Sequence, residues 1–353
     1  MDGEIRSTVS RFLIPAAAFV IVVAGMKVSA PILVPILLSA FIAVISANPL
    51  FWLKRKGVPM ALAMVIVVFA VLGIGVAIAA VVGGSLQDFS QNLPSYQARV
   101  KEKVEILSAW LAGKGMEVAR GRIVDAFDPG VAMRLVSQLL TGLGNVVTNG
   151  FLIILTVIFI LLETSGFPQK LKGSLRDPEK TFLYFERFIQ SVQRYMAIKT
   201  WISLGTGVVI ALWLAIIGVD YPVLWGLLAF LLNYIPNIGS ILAAIPAVLL
   251  ALIQLGIVSS VLTAIGYLVV NVVFGNIVEP RVMGRGLGLS TLIVFLSLIF
   301  WGWVFGPVGM LLSVPLTMTL KIALDSSEDT WWIAALMGSE PAQAVRGPDK
   351  TNR

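Results

Sequence analysis

Polar and helix-breaking residues interrupt an otherwise apolar stretch between Leu231 and Ser290. Breaking a helix in hydrocarbon leaves backbone groups without partners, which is tolerated only where the break is buried in protein or lines a watery cavity. Interrupted apolar helices of this kind indicate a place where a polar solute is bound within a membrane. The stretch is therefore the first candidate for a functional site.

The candidate solute pathway combines side-chain amides with residues that break or bend helices: Asn233, Pro236, Asn237, Gly239, Pro246, Asn271 and Asn276. An amide both donates and accepts hydrogen bonds, as a polyol requires, and it is costly in an apolar region unless it is paired. For any single Asn, hydrogen bonding between helices, worth about 0.6–2 kcal/mol, is the favoured interpretation. As a group around two broken helices, these residues favour a binding site.

A charged segment follows directly and is the candidate for ion coupling or gating: Glu279, Pro280, Arg281, Gly284 and Arg285. If this segment folds inward, Glu279 becomes the coupling carboxylate, with Arg281 or Arg285 as its partner. If it lies at the cytoplasmic boundary, the charges form a cluster that reaches toward the lipid headgroups. The residues alone leave both interpretations open.

Composition indicates an integral membrane protein. Hydrophobic residues make up 58% of the 353 residues, charged residues 13%, and the mean hydropathy is +0.93, whereas soluble domains carry about 25% charge. Basic cytoplasmic loops explain the net charge of +7 without a nucleic-acid partner.

The chain has no Cys and no His, which removes disulfides, the usual zinc sites and a Ser-His-Asp triad. No phosphate-binding loop is present. We therefore predict no enzyme, metal site or cofactor, and a secondary carrier or a channel remains.

The hydropathy pattern predicts an all-α, polytopic integral membrane protein of about eight transmembrane helices, some of them broken or re-entrant. We divide the chain into N-terminal transmembrane helices (1–84), an extracytoplasmic helical segment (85–138), a transmembrane helix (139–163), a cytoplasmic amphipathic helical segment (164–199), a C-terminal transmembrane region (200–325) and a polar tail (326–353). The residues do not decide whether 238–255 and 289–324 are full spans or re-entrant hairpins.

Two charge patterns set the expected orientation. Lys54-Arg55-Lys56 forms a basic run in a short loop, which is typical of the cytoplasmic side, so the N-terminus is predicted to be cytoplasmic as well. The amphipathic segment is also rich in basic residues. Its apolar stripe is predicted to lie along the inner interface or to pack on the bundle; the stripe consists of Phe182, Phe185, Ile189, Val192 and Met196.

Four motifs resemble those of the autoinducer-2 exporter family: NYIPNIGS from Asn233, AAIPA from Ala243, EPRVMGRGLGL from Glu279 and GPVGMLLSVP from Gly306. The resemblance extends from about Pro31 to Ala323. It implies a secondary transporter in the bacterial inner (plasma) membrane that exports autoinducer-2, a small uncharged furanone used in quorum sensing. It also implies a homo-oligomer, for example a pentamer. Glu279-Pro280-Arg281 stands in the family's motif, which favours a functional role for this run.

Two alternatives to autoinducer-2 export stay open. A sodium (or lithium)/proton antiporter, a function that some relatives suggest, would make Glu279 essential and transport steeply dependent on pH. A passive oligomeric pore lined by Asn and Gly would conduct without saturating. The expected partners are thus the small-molecule solute and the lipid bilayer, together with protons or sodium ions where transport is coupled to them.

Overall fold

A computed structural model describes residues 2–113, 149–164, 178–236, 238–283, 288–325 and 330–338. These residues are helical almost throughout and include no strand, which confirms the predicted all-α class. In chain order the helices are α1 (Asp2–Val28), α2 (Ala30–Arg55), α3 (Met60–Gly113), α4 (Gly150–Thr164), α5 (Pro178–Ile217), α6 (Pro222–Leu232), α7 (Gly239–Gln254), α8 (Ile257–Val270), a π-helix (Asn271–Val278), α9 (Glu279–Met283), α10 (Thr291–Asp325) and α11 (Trp331–Leu336).

Several helices are long and apolar enough to cross a bilayer. Five reach that length: Ala30–Arg55, Met60–Lys103, Ile189–Ile217, Ile257–Val282 and Thr291–Asp325. Four shorter apolar helices accompany them: Leu13–Val28, Gly150–Glu163, Pro222–Leu232 and Gly239–Gln254. Large apolar side chains such as Phe69 and Ile216 are exposed, an arrangement that suits lipid rather than water. The chain is a polytopic α-helical membrane protein.

The chain forms two compact units. The first contains Met1–Ile45, Leu152–Val192 and Leu287–Arg353, and the second contains Ser46–Phe151 and Gln193–Gly286. Every described residue of the candidate pathway and of the coupling segment lies in the second unit.

In the first unit, α10 folds back on itself. Gly306 has a positive φ of 67°, which glycine adopts without the strain that a side chain would add. The Trp301 indole N–H donates to Thr317 Oγ1 at 3.0 Å across the bend. Val23 of α1 packs in one core cluster with Val304 and Phe305. Segment 289–324 is therefore a helical hairpin.

The second unit has an apolar core built from α3 and α5–α8. Its fully buried members include Ile210, Leu214 and Trp225, and the small residues Ala243 and Ala247 of α7 belong to the same cluster. Phe89 and Tyr96, two turns apart on α3, pack against this core. The core holds the broken helices that carry the candidate pathway.

Two helices run through boundaries that we drew from the sequence. Helix α3 passes Gly83-Gly84 without interruption and continues to Gly113, because a glycine weakens a helix by only about 1 kcal/mol and the helix-forming residues on either side continue it. Helix α5 likewise continues from the amphipathic segment into the next span, past residue 199. Parts of the segments 85–138, 139–163 and 164–199, and most of the polar tail, lie outside the described residues.

Candidate functional site

The predicted break lies between α6 and α7. Helix α6 ends at Leu232 and α7 begins at Gly239. A Cβ on Gly239 would lie 1.8 Å from the Leu232 carbonyl oxygen, so this close approach requires glycine. Pro236 is half-buried in the connection, whereas Asn237 lies outside the described residues. The break therefore brings the start of α7 directly against the end of α6.

Side chains of the break are bonded to α5. Asn233 is buried, and its Nδ2 donates to Ser203 Oγ at 2.9 Å. The neighbouring Tyr234 hydroxyl donates to Thr200 Oγ1 at 2.7 Å. Each polar group is paired across two helices, which reduces the cost of holding it in an apolar region. Asn233 thus makes the interhelical hydrogen bond that we considered as the alternative to solute binding.

The second pair of amides lies in a π-helix that interrupts the end of α8. π-Helical turns are rare and occur frequently at functional sites. Ser240 Oγ, in the first turn of α7, donates to Asn271 Oδ1 at 2.7 Å. Asn276 is exposed on the same element. Asn271 therefore joins the broken helices, whereas Asn276 points away from the residues packed there.

Glu279 is paired with a lysine from α5. Lys199 Nζ donates to Glu279 Oε1 at 2.7 Å and to Oε2 at 2.8 Å. The lysine side chain is 4% exposed and the glutamate side chain 21%. Both charges of the pair are thus largely removed from solvent.

One of the two expected arginine partners, Arg281, is turned away from Glu279, and the other, Arg285, lies outside the described residues. Arg281 is exposed, because two residues along an α-helix turn the side chain by about 200° to the opposite side. Pro280 is exposed as well, and Gly284 and Arg285 lie outside the described residues. Among the described residues, the partner of Glu279 is Lys199, 80 positions earlier in the chain.

Sequence reasoning missed Lys199 because we counted it among the basic residues of the cytoplasmic segment. A signal was nevertheless present. Lys199 follows Met196 by three residues and therefore continues the apolar stripe of that segment at helical spacing. A lysine on an apolar face needs a buried partner.

Lys199 begins a polar stripe on α5. Lys199, Ser203 and Thr206 follow one another at helical spacing and are all buried, and Ile210 and Leu214 continue the same face as apolar residues.

Pro246 is buried in α7, in the apolar part of the unit. The described pathway residues that lie near the break between α6 and α7 are Asn233, Gly239 and Asn271.

A second polar network lies just beyond the C-terminal end of α5. Tyr96 of α3 donates to Asp220 Oδ2 at 2.7 Å, and Asn92 Nδ2 donates to the Tyr221 hydroxyl at 2.9 Å. Asp220 follows Lys199 by 21 positions, which corresponds to about 30 Å of helix, the thickness of the hydrocarbon core. The two networks are therefore separated by about the thickness of the hydrocarbon core.

Two cations of α3 reach the last carbonyl groups of α7. Lys103 Nζ donates to the carbonyl oxygens of Leu252 and Ile253 at 2.7 and 3.0 Å, and an Arg99 N–H donates to that of Gln254 at 3.2 Å. Positive charge at a helix C-terminus is favourable because the free carbonyl groups there carry partial negative charge.

The site offers hydrogen-bonding groups rather than reactive ones. In the ranges that the structure describes, no cluster of three or more His, Cys, Asp or Glu could hold a metal ion. Amides, hydroxyls and one internally neutralised ion pair are bound between broken helices in a membrane bundle. This combination defines a polytopic membrane transporter.

Comparison with known proteins agrees with that class. The model of the AI-2E family transporter matches residues 16–329, and the chain belongs to this family. It is 44% identical over 328 residues to the AI-2 transport protein TqsA of Escherichia coli (strain K12), covering 93% of this chain and 95% of that protein.

Two further relatives are described as putative transport proteins. One, from Haemophilus influenzae (strain ATCC 51907 / DSM 11121 / KW20 / Rd), is 41% identical over 334 residues, 93% of this chain and 96% of that protein. The other, YhhT of Escherichia coli (strain K12), is 37% identical over 327 residues, 92% and 93% of the two chains. The predicted family resemblance is confirmed, and membrane transport is the function common to these relatives.

Proposed function

We propose that this protein is a secondary transporter that exports autoinducer-2 across the bacterial inner membrane. The observation that carries the proposal is the break between α6 and α7, where the amide of Asn233 is bonded to Ser203 and Ser240 is bonded to the amide of Asn271. The 44% identity to a protein described as an AI-2 transport protein supports the choice of solute. The basic run Lys54-Arg55-Lys56 supports a cytoplasmic N-terminus, and assembly as a homo-oligomer belongs to the same proposal.

The chemistry of the site suits a small, uncharged, hydroxylated molecule. A solute hydroxyl can replace a serine hydroxyl at Asn233 or Asn271 without a change in the number of hydrogen bonds, so the exchange costs little free energy. The nearest buried charges, Lys199 and Glu279, neutralise each other. A charged solute would find no uncompensated opposite charge at this ion pair.

The Lys199–Glu279 pair supports a second candidate, sodium (or lithium)/proton antiport. A largely buried carboxylate can hold Lys199, a metal cation or a proton in turn, and such intramembrane carboxylates are the usual coupling groups of transporters. This candidate requires Glu279 to exchange partners during each cycle.

Uptake into proteoliposomes tests the proposal. Purified protein is reconstituted, and entry of labelled autoinducer-2 is measured with and without a proton gradient, for the parent chain and for Asn271→Ala and Glu279→Gln. Asn276→Ala and Arg281→Gln serve as matched controls, because these side chains are exposed on the same elements.

Saturable uptake that falls at least tenfold in Asn271→Ala but not in Asn276→Ala would support the carrier; a tenfold fall corresponds to about 1.4 kcal/mol. Uptake that rises linearly with concentration would indicate a passive pore instead. No uptake, together with a pH-dependent sodium or lithium flux abolished by Glu279→Gln, would replace the proposal by antiport.

A further inference from the structure

Three buried hydroxyl groups in the second unit have no hydrogen-bond partner among the described residues: those of Thr206, Thr263 and Tyr267. All three residues are at most 5% exposed. An unpaired hydroxyl in an apolar surrounding is unfavourable, and folded proteins leave few of them. A fourth such group, Ser313, lies in the first unit.

Other threonines of this chain show how such a hydroxyl is ordinarily satisfied. Thr156, Thr200 and Thr319 each donate to the carbonyl oxygen four residues earlier in their own helix, at 2.7–2.8 Å. This bond is available to any helical threonine through rotation about χ1. Thr206 and Thr263 are helical but do not make it, so their hydroxyls are directed elsewhere.

The hydroxyls continue the two polar stripes that begin at the candidate site. Thr206 follows Ser203 on the stripe of α5, and Tyr267 and Thr263 precede Asn271 by one and two turns on α8. Tyr267 belongs to the same core cluster as Ile210, the residue that follows Thr206 on its stripe. The stripes of two packed helices thus lead away from Asn233 and Asn271 along the same direction.

The register of α5 and α8 gives the depth of each hydroxyl. Gly205 makes room for the Phe274 ring, and the Trp213 indole donates to the Leu262 carbonyl oxygen at 3.1 Å, so the helices are antiparallel. At about 1.5 Å per residue, Thr206 lies roughly a third of the way from Lys199 to Asp220 and Tyr267 slightly beyond the middle. Transporters bind their solutes near this depth.

We propose that Thr206, Tyr267 and Thr263 are solute-binding residues that line the middle of the pathway and form hydrogen bonds with a small, uncharged molecule carrying several hydroxyl groups. The proposal rests on the proposed transport function and extends its site from the inner break toward the outer boundary. The solute, or water that occupies the site before it, forms the hydrogen bonds that these three hydroxyls lack among the described residues. A passing solute reaches these hydroxyls without breaking a hydrogen bond in the described part of the protein.

Cysteine accessibility tests this pathway without reference to the solute. The chain has no cysteine of its own, so Thr206→Cys, Thr263→Cys and Tyr267→Cys each introduce the single thiol of the protein. Leu214→Cys is the matched control for a dry position, because Leu214 is fully buried on the stripe that contains Thr206. Ser90→Cys, at an exposed position, reports the maximal rate.

A small water-soluble methanethiosulfonate reagent is applied to the reconstituted protein, and the modification rate is measured. Only the thiolate reacts, and each unit by which apolar burial raises the pKa of a thiol lowers the thiolate fraction tenfold. We expect the three pathway positions to react at least about ten times faster than Leu214→Cys. Rates equal to that of Leu214→Cys at all three positions would overturn the inference, whether or not autoinducer-2 is transported.

Protection by autoinducer-2 separates this inference from the choice of solute. Slower modification in its presence supports both. Fast modification without protection, together with no uptake, supports the pathway and overturns autoinducer-2 as its solute.

Conservative variants provide a second measurement. Tyr267→Phe and Thr263→Val should lower the uptake rate at least about fivefold without lowering the midpoint of thermal unfolding, since the hydroxyl that is lost has no partner among the described residues. Thr156→Val removes a hydroxyl that is bonded within its own helix and should leave uptake unchanged. A large loss of thermal stability with unchanged uptake would show that the hydroxyls are structural and overturn the inference.

Discussion

At the scale of single residues, Lys199 and Glu279 form an ion pair whose two side chains are largely removed from solvent. Removing one member of a buried ion pair leaves the other charge uncompensated. This lowers the free energy of unfolding by far more than the intact pair contributes to it. The two members differ in exposure, 4% for the lysine side chain and 21% for the glutamate. The lysine has less access to solvent and depends more on its partner.

We therefore predict that Glu279→Gln lowers the free energy of unfolding by about 3 kcal/mol and Lys199→Met by less. Thermal or denaturant unfolding of the purified protein in detergent measures both changes. Arg281→Gln, two positions away and exposed, should change stability by no more than about 0.5 kcal/mol. An equal loss in Arg281→Gln would contradict the assignment of Lys199 as the partner.

At the scale of elements, the approach of α7 to α6 depends on one missing side chain. A Cβ at Gly239 would lie 1.8 Å from the Leu232 carbonyl oxygen, which belongs to the backbone and cannot move aside by rotation. Asn233 is the next residue, so opening the break would also displace the amide from Ser203.

Gly239→Ala should lower the free energy of unfolding by about 2 kcal/mol or more, as overpacking does, and reduce uptake. Gly83→Ala is the matched control: a Cβ there meets nothing within 4 Å, so the substitution should raise helix stability by up to about 1 kcal/mol. Unfolding midpoints and uptake rates of the two variants decide the prediction. Equal behaviour of both would show that the close approach does not constrain α7.

The C-terminal end of α7 is bonded to α3. Lys103→Met should lower stability by about 0.5–1 kcal/mol, because it removes a cation from the C-terminal carbonyl groups of α7. Amide hydrogen exchange should become faster in the last turn of α7, at Leu252–Gln254. Lys101→Met, two residues earlier on α3, is the control and should change neither quantity, because no hydrogen bond joins Lys101 to α7 among the described residues. Unchanged exchange in Lys103→Met would refute a capping role.

At the scale of the whole molecule, the hairpin of α10 bears on how many times the chain crosses the membrane. Lys27 Nζ lies 3.7 Å from the centre of the Trp303 ring, close to the bend at Gly306. A lysine is favoured at a membrane boundary, where its charge is hydrated and a tryptophan ring packs against it. Helix α2 separates Lys27 from Lys54 and Arg55, so we expect these charges to lie on opposite sides of the bilayer.

We predict that the bend of α10 reaches the outer boundary and that its two halves are full crossings. Single cysteines at Pro307 and Val28 should react in intact cells with a membrane-impermeant maleimide, and Asp325→Cys only after permeabilisation. Labelling of Pro307→Cys solely after permeabilisation would instead indicate a re-entrant hairpin from the cytoplasmic side.

Sequence alone determined the class of the molecule and the location of its break, because both depend on local properties. The hydropathy of the chain excludes a soluble fold whatever its tertiary arrangement. Proline and glycine at 236–239 likewise interrupt a helix whatever packs around it. The motifs from Asn233 and from Glu279 determined the family in the same way, since they lie in continuous stretches of chain. Composition also removed cysteine and histidine chemistry.

Only the tertiary structure decided which polar groups are paired. Glu279 is bonded to Lys199, 80 positions away, and Asn233 to Ser203, 30 positions away; these pairings depend on how α5 packs against α6 and on the register that the π-helix sets. Asn271 and Asn276 look alike in the sequence, yet one is bonded to Ser240 and the other is exposed. The position of a residue along its helix determines the face on which its side chain lies. The packing of neighbouring helices determines which residues that side chain contacts.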